Sequence, residues 1–131
     1  MLGYELPASY KLLEQNTVAN IYYHARKAGI KLLLEVRIPV SQFKRGNCRV
    51  DLALVHKRLV LAVIEVKRSN NSDISFQNNK KNRNGKQYQK YKQLEENYGV
   101  RIFFANNKTD ISLLVKQLLK IQKLHIKKLK A

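Results

Sequence analysis

Apolar positions recur along this chain with two different periods. Between Pro7 and Gly29 they fall at Val18, Ile21, Tyr22 and Ala25, the spacing of one helix stripe, with Pro7 and Ser9 offering a start and Gly29 a stop. The spacing predicts a helix of roughly 20 residues, and one turn back along its stripe stands Glu14, a carboxylate facing inward. The period then changes to two. Leu32, Leu34, Val36 and Ile38 alternate with Leu33, Glu35 and Arg37, predicting a strand that Pro39 closes. Arg45-Gly46-Asn47 marks a turn, and CRVDLALVHKRLVLAVIEVK, residues 48–67, reads as two strands joined by a short basic turn. The polar stretch from Arg68 to Lys86 has no period and is expected to be a loop. A helix from near Lys86 to Gly99 carries Gln87, Tyr91, Leu94 and Tyr98 on one face, and VRIFFANN is a fourth strand. Thr109 or Asp110 caps a final amphipathic helix, about residues 110–129, with Ile111, Leu114, Leu118, Ile121 and Leu124 or His125 on its apolar face. The expected order is α-β-β-β-α-β-α.

A chain of 131 residues with no internal repeat and no second-domain boundary is read as one domain. Charge narrows the partner class. Twenty-six Lys and Arg stand against 9 Asp and Glu, a formal +17, and such a field attracts a phosphate backbone. A ribosomal or chromatin-like protein, or one lying on an anionic membrane surface, shares that balance. The N-terminal segment lacks the pattern of a signal peptide, and no apolar run reaches the roughly 18 residues of a membrane span. Cys48 is the only cysteine, which excludes an intramolecular disulfide and a multi-cysteine zinc site. The expectation is a soluble intracellular protein, of cytoplasm or nucleoid, with no membrane and no small-molecule cofactor.

Asp51, Glu65 and Lys67 interrupt the apolar hairpin, and a charge in such a setting costs several kcal/mol unless paired or bound to an ion. Glu65 and Lys67 share a strand face. A three-residue loop at Lys57, Arg58 and Leu59 sets His56 opposite Val60 and Asp51 opposite Glu65. A two-residue loop sets Asp51 opposite Ile64 and sends Glu65 to the other face unless a bulge corrects the register. The sequence therefore predicts an odd loop or a bulge, with Leu61, Val63 and Ala53 on the face of the charges. Two carboxylates brought together repel, and a divalent cation relieves them, with a strand carbonyl near Val66 as a further oxygen. That is the donor set of a phosphoryl-transfer site in which Lys67 orients water or stabilises developing charge. Glu14 is a further carboxylate or a ligand of a second ion, and Gln87 a hydrogen-bonding partner of the water, with Tyr91 beneath it or on phosphate.

Asp51, the segment Ile64-Glu65-Val66-Lys67, a preceding helix with inward Glu14, and QYQKY from Gln87 to Tyr91 together resemble the PD-(D/E)xK nuclease superfamily. The last segment is similar to the Q-x-x-x-Y motif of its RecB-like branch, while Val50 stands where the first half-motif has its proline. The resemblance covers about residues 8–105. It implies a restriction-endonuclease-like αβββαβ core, a mixed four-stranded sheet flanked by helices, with the C-terminal basic helix as an addition. It implies Mg2+-dependent cleavage of DNA phosphodiester bonds, with Mn2+ able to substitute. Asp51, Glu65, Lys67, Glu14 and Gln87 are then the catalytic set, and Asp51, Glu65, the Val66 carbonyl and Glu14 the metal ligands.

Each of these residues has a plainer reading. The three charges can be a salt-bridge ladder with Arg49 on a solvent-facing sheet, and Glu14 an acid at the edge of a buried stripe. Glu35, beside Arg37, reads as a surface ion pair. His24, His56 and His125 are scattered and are assigned no role. Arg45, Arg49, Arg68, Lys80, Lys81, Arg83, Lys86 and Tyr91 are the expected DNA contacts. Lys116, Lys120, Lys123, Lys127, Lys128 and Lys130 give the last helix a basic face for DNA, while its apolar stripe covers the core or pairs with another subunit. A homodimer or higher symmetric oligomer follows from the need to cut two strands with one site per chain. The rival is a basic nucleic-acid-binding protein without catalysis.

Overall fold

The computed structural model describes Gly3, Glu5 and residues 12–39, 47–67 and 83–130, with the backbone alone at 12–14, 39, 47–48 and 83–89. Among the described residues a four-stranded mixed open sheet is flanked by three helices. In chain order these are α1 (Leu12–Lys27), β1 (Leu32–Pro39), β2 (Asn47–His56), β3 (Leu59–Val66), α2 (Arg83–Tyr98), β4 (Arg101–Ala105) and α3 (Ile111–Lys130). The strands lie side by side in sequence order, the first two pairings antiparallel and β3–β4 parallel. The expected helix start at Pro7 and Ser9, most of the turn at Arg45-Gly46-Asn47, and residues 68–82 of the expected loop lie outside the described residues. The end of that stretch, Arg83 to Lys86, is the first turn of α2.

The helix ends follow local chemistry. Gly29 and Gly99 take φ of +85° and +68°, a conformation open to glycine at little cost. Behind them Ile30 N–H bonds to Ala25 O at 2.9 Å and Val100 N–H to Leu94 O at 3.2 Å, satisfying carbonyls at the ends of α1 and α2. Of the two candidate caps for α3, Asp110 does the capping: its Oδ1 accepts the Leu113 N–H at 3.1 Å. Thr109 Oγ1 instead accepts from Asn106 N–H in the preceding turn.

Alternation divides the sheet's apolar residues between two layers. On one face Leu52, Leu54, Ala62, Ile64 and Val66 pack with Ile21 and Ala25 of α1 and Leu114, Val115 and Leu118 of α3. The apolar stripe of α3 therefore covers the core. Of the two residues expected to end that stripe, Leu124 is exposed and His125 is half-buried, its ring against His56. On the other face Ala53 and Val63 pack with Tyr91 and Leu94 of α2. Tyr98, placed on the same α2 face by its spacing, is exposed in the last turn.

The β2–β3 connection differs from a three-residue loop. His56 pairs with Leu59 across a two-residue turn at Lys57 and Arg58, with φ of +48° and +72°. Two positive values define the hairpin turn whose twist suits antiparallel strands. The expected bulge then appears: the register shifts between Leu54↔Ala62 and Val55↔Val60, leaving Leu61 over. This extra residue packs toward the α1–α3 cluster, not with Val63 and Ala53, because a bulge interrupts alternation.

A second irregularity lies in β1. Glu35 has φ +49°, and the rung joining it to Asp51 is absent from an otherwise continuous β1–β2 register. A non-glycine residue in this conformation costs about 1 kcal/mol. Beyond it Val36 and Ile38, with Val50 opposite, pack into the α2 cluster, whereas alternation from Leu32 and Leu52 places them on the first face. The two strands thus change faces at the level of Asp51.

Candidate active site

Asp51 and Glu65 converge at the end of the β2–β3 ladder. Its last paired rung is Leu52↔Ile64, so the next positions on the two strands are Asp51 and Glu65. Beyond this rung a side chain replaces a strand carbonyl as acceptor: Val66 N–H donates to Asp51 Oδ2 at 2.7 Å. The carboxylate of Asp51 is thus fixed by the amide that follows Glu65. The group of Val66 seen to take part is its N–H, and its side chain is buried in the first cluster.

Glu65 stands two residues after Val63, toward α2. The Tyr91 hydroxyl donates to Glu65 Oε2 at 2.5 Å, and Lys67 Nζ lies 3.3 Å from Oε1. The Glu65 side chain is only 15 % exposed and that of Lys67 20 %. Burial, followed by repulsion from Asp51, raises the Glu65 pKa above its usual 4.5, against the lowering effects of the Tyr91 hydrogen bond and Lys67. Lys67 is positioned from the other side, its N–H donating to Ala105 O of β4 at 2.7 Å.

Tyr91 is 2 % exposed, and its hydroxyl is directed to a carboxylate. Of the two roles expected for it, packing beneath the site fits this geometry and a phosphate contact does not. A neighbour the sequence did not single out is Phe104, which pairs with Glu65 in the β3–β4 register and meets the Tyr91 ring edge-on at 6.0 Å. The two rings pack together in the α2 cluster, on the side of the sheet where the Tyr91 hydroxyl meets the carboxylate. The phenylalanines of β4 are legible as strand residues, but the register that sets Phe104 beside Glu65 is not.

Glu14 and Gln87 are placed by backbone alone, Glu14 in the first turn of α1 and Gln87 one turn before Tyr91 in α2. Arg83 and Lys86 occupy the start of α2 in the same way, while Arg45, Arg68, Lys80 and Lys81 lie outside the described residues. Arg49 is exposed, its NH2 atom 3.8 Å from Glu35 Oε1. Glu35 thus has its ion pair across the β1–β2 ladder with Arg49, not with Arg37. His56 and His125 are brought together at the turn end of the hairpin, ring centroids 5.2 Å apart and nearly perpendicular. Five residues of strand, about 17 Å, separate His56 from Asp51.

No family model, no curated protein and no solved structure matches this chain. Among the described residues no group of three His, Cys, Asp or Glu is placed to hold a metal, and no helix is long and apolar enough to cross a membrane. The donor set described is therefore two carboxylates, one fixed by an amide and one held by a hydroxyl and an ammonium.

Proposed function

We propose that the protein is a divalent-cation-dependent DNA endonuclease of the PD-(D/E)xK type, built on a restriction-endonuclease-like core. The observation that carries this reading is the buried Glu65, kept beside Asp51 and Lys67 at the end of a ladder whose register a bulge corrects. A fold gains nothing in stability from two adjoining carboxylates, one of them desolvated. A cation between them removes the repulsion, and hard oxygen donors of this kind suit Mg2+, with Mn2+ as substitute.

When bound, the cation supplies Lewis-acid stabilisation of the scissile phosphate. The rest belongs to the chain. Asp51 is held in place by the Val66 amide, and Tyr91 keeps Glu65 pointed along the strand end. Lys67, anchored through its backbone to β4, presents an ammonium that orients a water or meets the charge developing on phosphate. Glu14 and Gln87 join this set as a further carboxylate and a hydrogen-bonding amide. Arg49, Arg45, Arg68 and the basic residues from Lys80 to Lys86 hold the DNA backbone. Two copies in a symmetric dimer cut both strands.

A cleavage assay on linear, branched and single-stranded DNA, with Mg2+ or with EDTA, tests the reading. The expected result is Mg2+-dependent nicking that falls at least about 100-fold in Lys67→Ala, as when one charge-stabilising donor is removed from a hydrolytic site. The second reading is a nucleic-acid-binding protein without catalysis, and it too has an observation behind it. Both carboxylates are already engaged inside the protein, Asp51 by an amide and Glu65 by Tyr91 and Lys67. Salt-sensitive DNA binding with no cleavage under any divalent ion decides for it.

A further inference from the structure

We infer that the outer face of α3 is a binding site for a nucleic-acid phosphate backbone, and that it holds a different segment from the one at Asp51 and Glu65. The 20 residues of α3 hold six lysines and no carboxylate. Four of them, Lys116, Lys120, Lys123 and Lys127, are exposed and recur at intervals of three or four residues. At 100° per residue they fall within about 60° of one line, along about 16 Å of helix. They edge a shallow groove whose other lining residues are Leu119 and Leu124.

The buried residues Leu114, Val115 and Leu118 fall on the opposite side of the helix, facing the sheet with α1. Glu65 lies on the other face of that sheet, under Tyr91 of α2. The lysine line and the carboxylates are thus separated by the full thickness of the sheet. A single straight duplex cannot lie against both.

Charge complementarity selects the occupant. Each strand of a duplex offers a phosphate about every 3.4 Å of axis, so four ammonium groups along this line each find one. An anionic membrane is the other polyanion. An amphipathic helix enters a lipid interface through its apolar face, and here that face is in the core. The exposed leucines beside the line, Leu113 and Leu124, are three turns apart, too sparse for insertion.

The test does not depend on cleavage and is run on the full chain in EDTA. Binding to a 30-base-pair duplex is measured against NaCl concentration for the parent chain and for Lys116→Gln/Lys120→Gln/Lys123→Gln/Lys127→Gln, with thermal melting to check that the variant is folded. Removing four phosphate contacts lowers the slope of log K against log salt by about 3 to 4. In parallel, the parent chain loaded on an immobilised duplex captures a second, labelled duplex, and the folded variant does not. A slope change below about 1 overturns the inference, as does undiminished capture by the variant, which places bridging in a dimer whose two copies each hold one duplex on the Asp51–Glu65 side. A parent chain that captures no second duplex also overturns it. So does loss of binding by the variant to phosphatidylserine vesicles with an unchanged DNA slope. If the slope and the capture behave as expected while no divalent ion supports cutting, this surface stands and the nuclease reading fails.

Discussion

The two faces of the sheet are made by the same strands and solve different problems. Toward α1 and α3, β3 contributes Ala62, Ile64 and Val66, closed over by helices from both ends of the described chain. Toward α2 it contributes Val63 and Glu65, with Lys67 one residue past its end, and the cover is one helix that packs Tyr91 and Leu94 there and gives the Tyr91 hydroxyl to Glu65. The first face stabilises by burial alone. The second keeps a carboxylate among apolar neighbours, where burial disfavours its charged form.

The sharpest way to break this contrast is to cut into each face in turn. Ile64→Ala opens a cavity in the first face and is expected to cost about 3 to 4 kcal/mol in urea unfolding. A loss below about 1 kcal/mol means that the α1–α3 layer is not the main core.

Glu65→Gln addresses the second face, and its effect depends on pH. The folded state raises the pKa of Glu65, so it binds a proton more readily than the unfolded chain does. That contribution is fully present below about 4.5 and is lost as pH rises through the raised folded value. Above that value the parent bears an ionised, desolvated acid beside Asp51, and the amide does not. The variant is expected to gain in melting temperature relative to the parent as pH rises from 4 to 8, and to have no cleavage activity. A difference in melting temperature that stays the same at both pH values contradicts the account.

Tyr91→Phe is a smaller probe of the same face. It leaves the ring against Phe104 but removes the donor to Oε2, at a cost of about 1.5 kcal/mol for a bond to a charged group. Because that donor lowers the Glu65 pKa, the acidic limb of the pH–rate profile should move to higher pH in the variant. Arg49→Ala is expected to do least. Its ion pair with Glu35 is long and exposed, worth under about 0.5 kcal/mol, and a larger loss of stability assigns the pair a part in the β1 kink.

The legible and illegible parts of the molecule divide along physical lines. The bulge was legible because parity is strict: with two residues in the turn, Asp51 and Glu65 share a level only if one residue is surplus. Which residue is surplus was not, and Leu61 went to the other face. The change of face beyond Glu35 was hidden, since Leu32, Leu34, Val36 and Ile38 alternate without interruption and only a backbone angle records the break. Tyr98 kept the helical period yet came out exposed, because period gives direction and not the extent of the surface beneath. The roles of Tyr91 and Phe104 depend on a parallel pairing between segments far apart in sequence, which no local pattern encodes.

That parallel pairing also orders events in time. Adjacent antiparallel strands can zip up from their own turn, whereas β4 reaches β3 only after an intervening helix has formed and the chain has doubled back, the slow, non-local kind of closure. Lys67 takes its anchor from Ala105, so a nascent chain that has emerged only as far as the hairpin holds its two acids without the seat for its ammonium. The backbone partner that seats this ammonium arrives late in synthesis, with the crossover to β4.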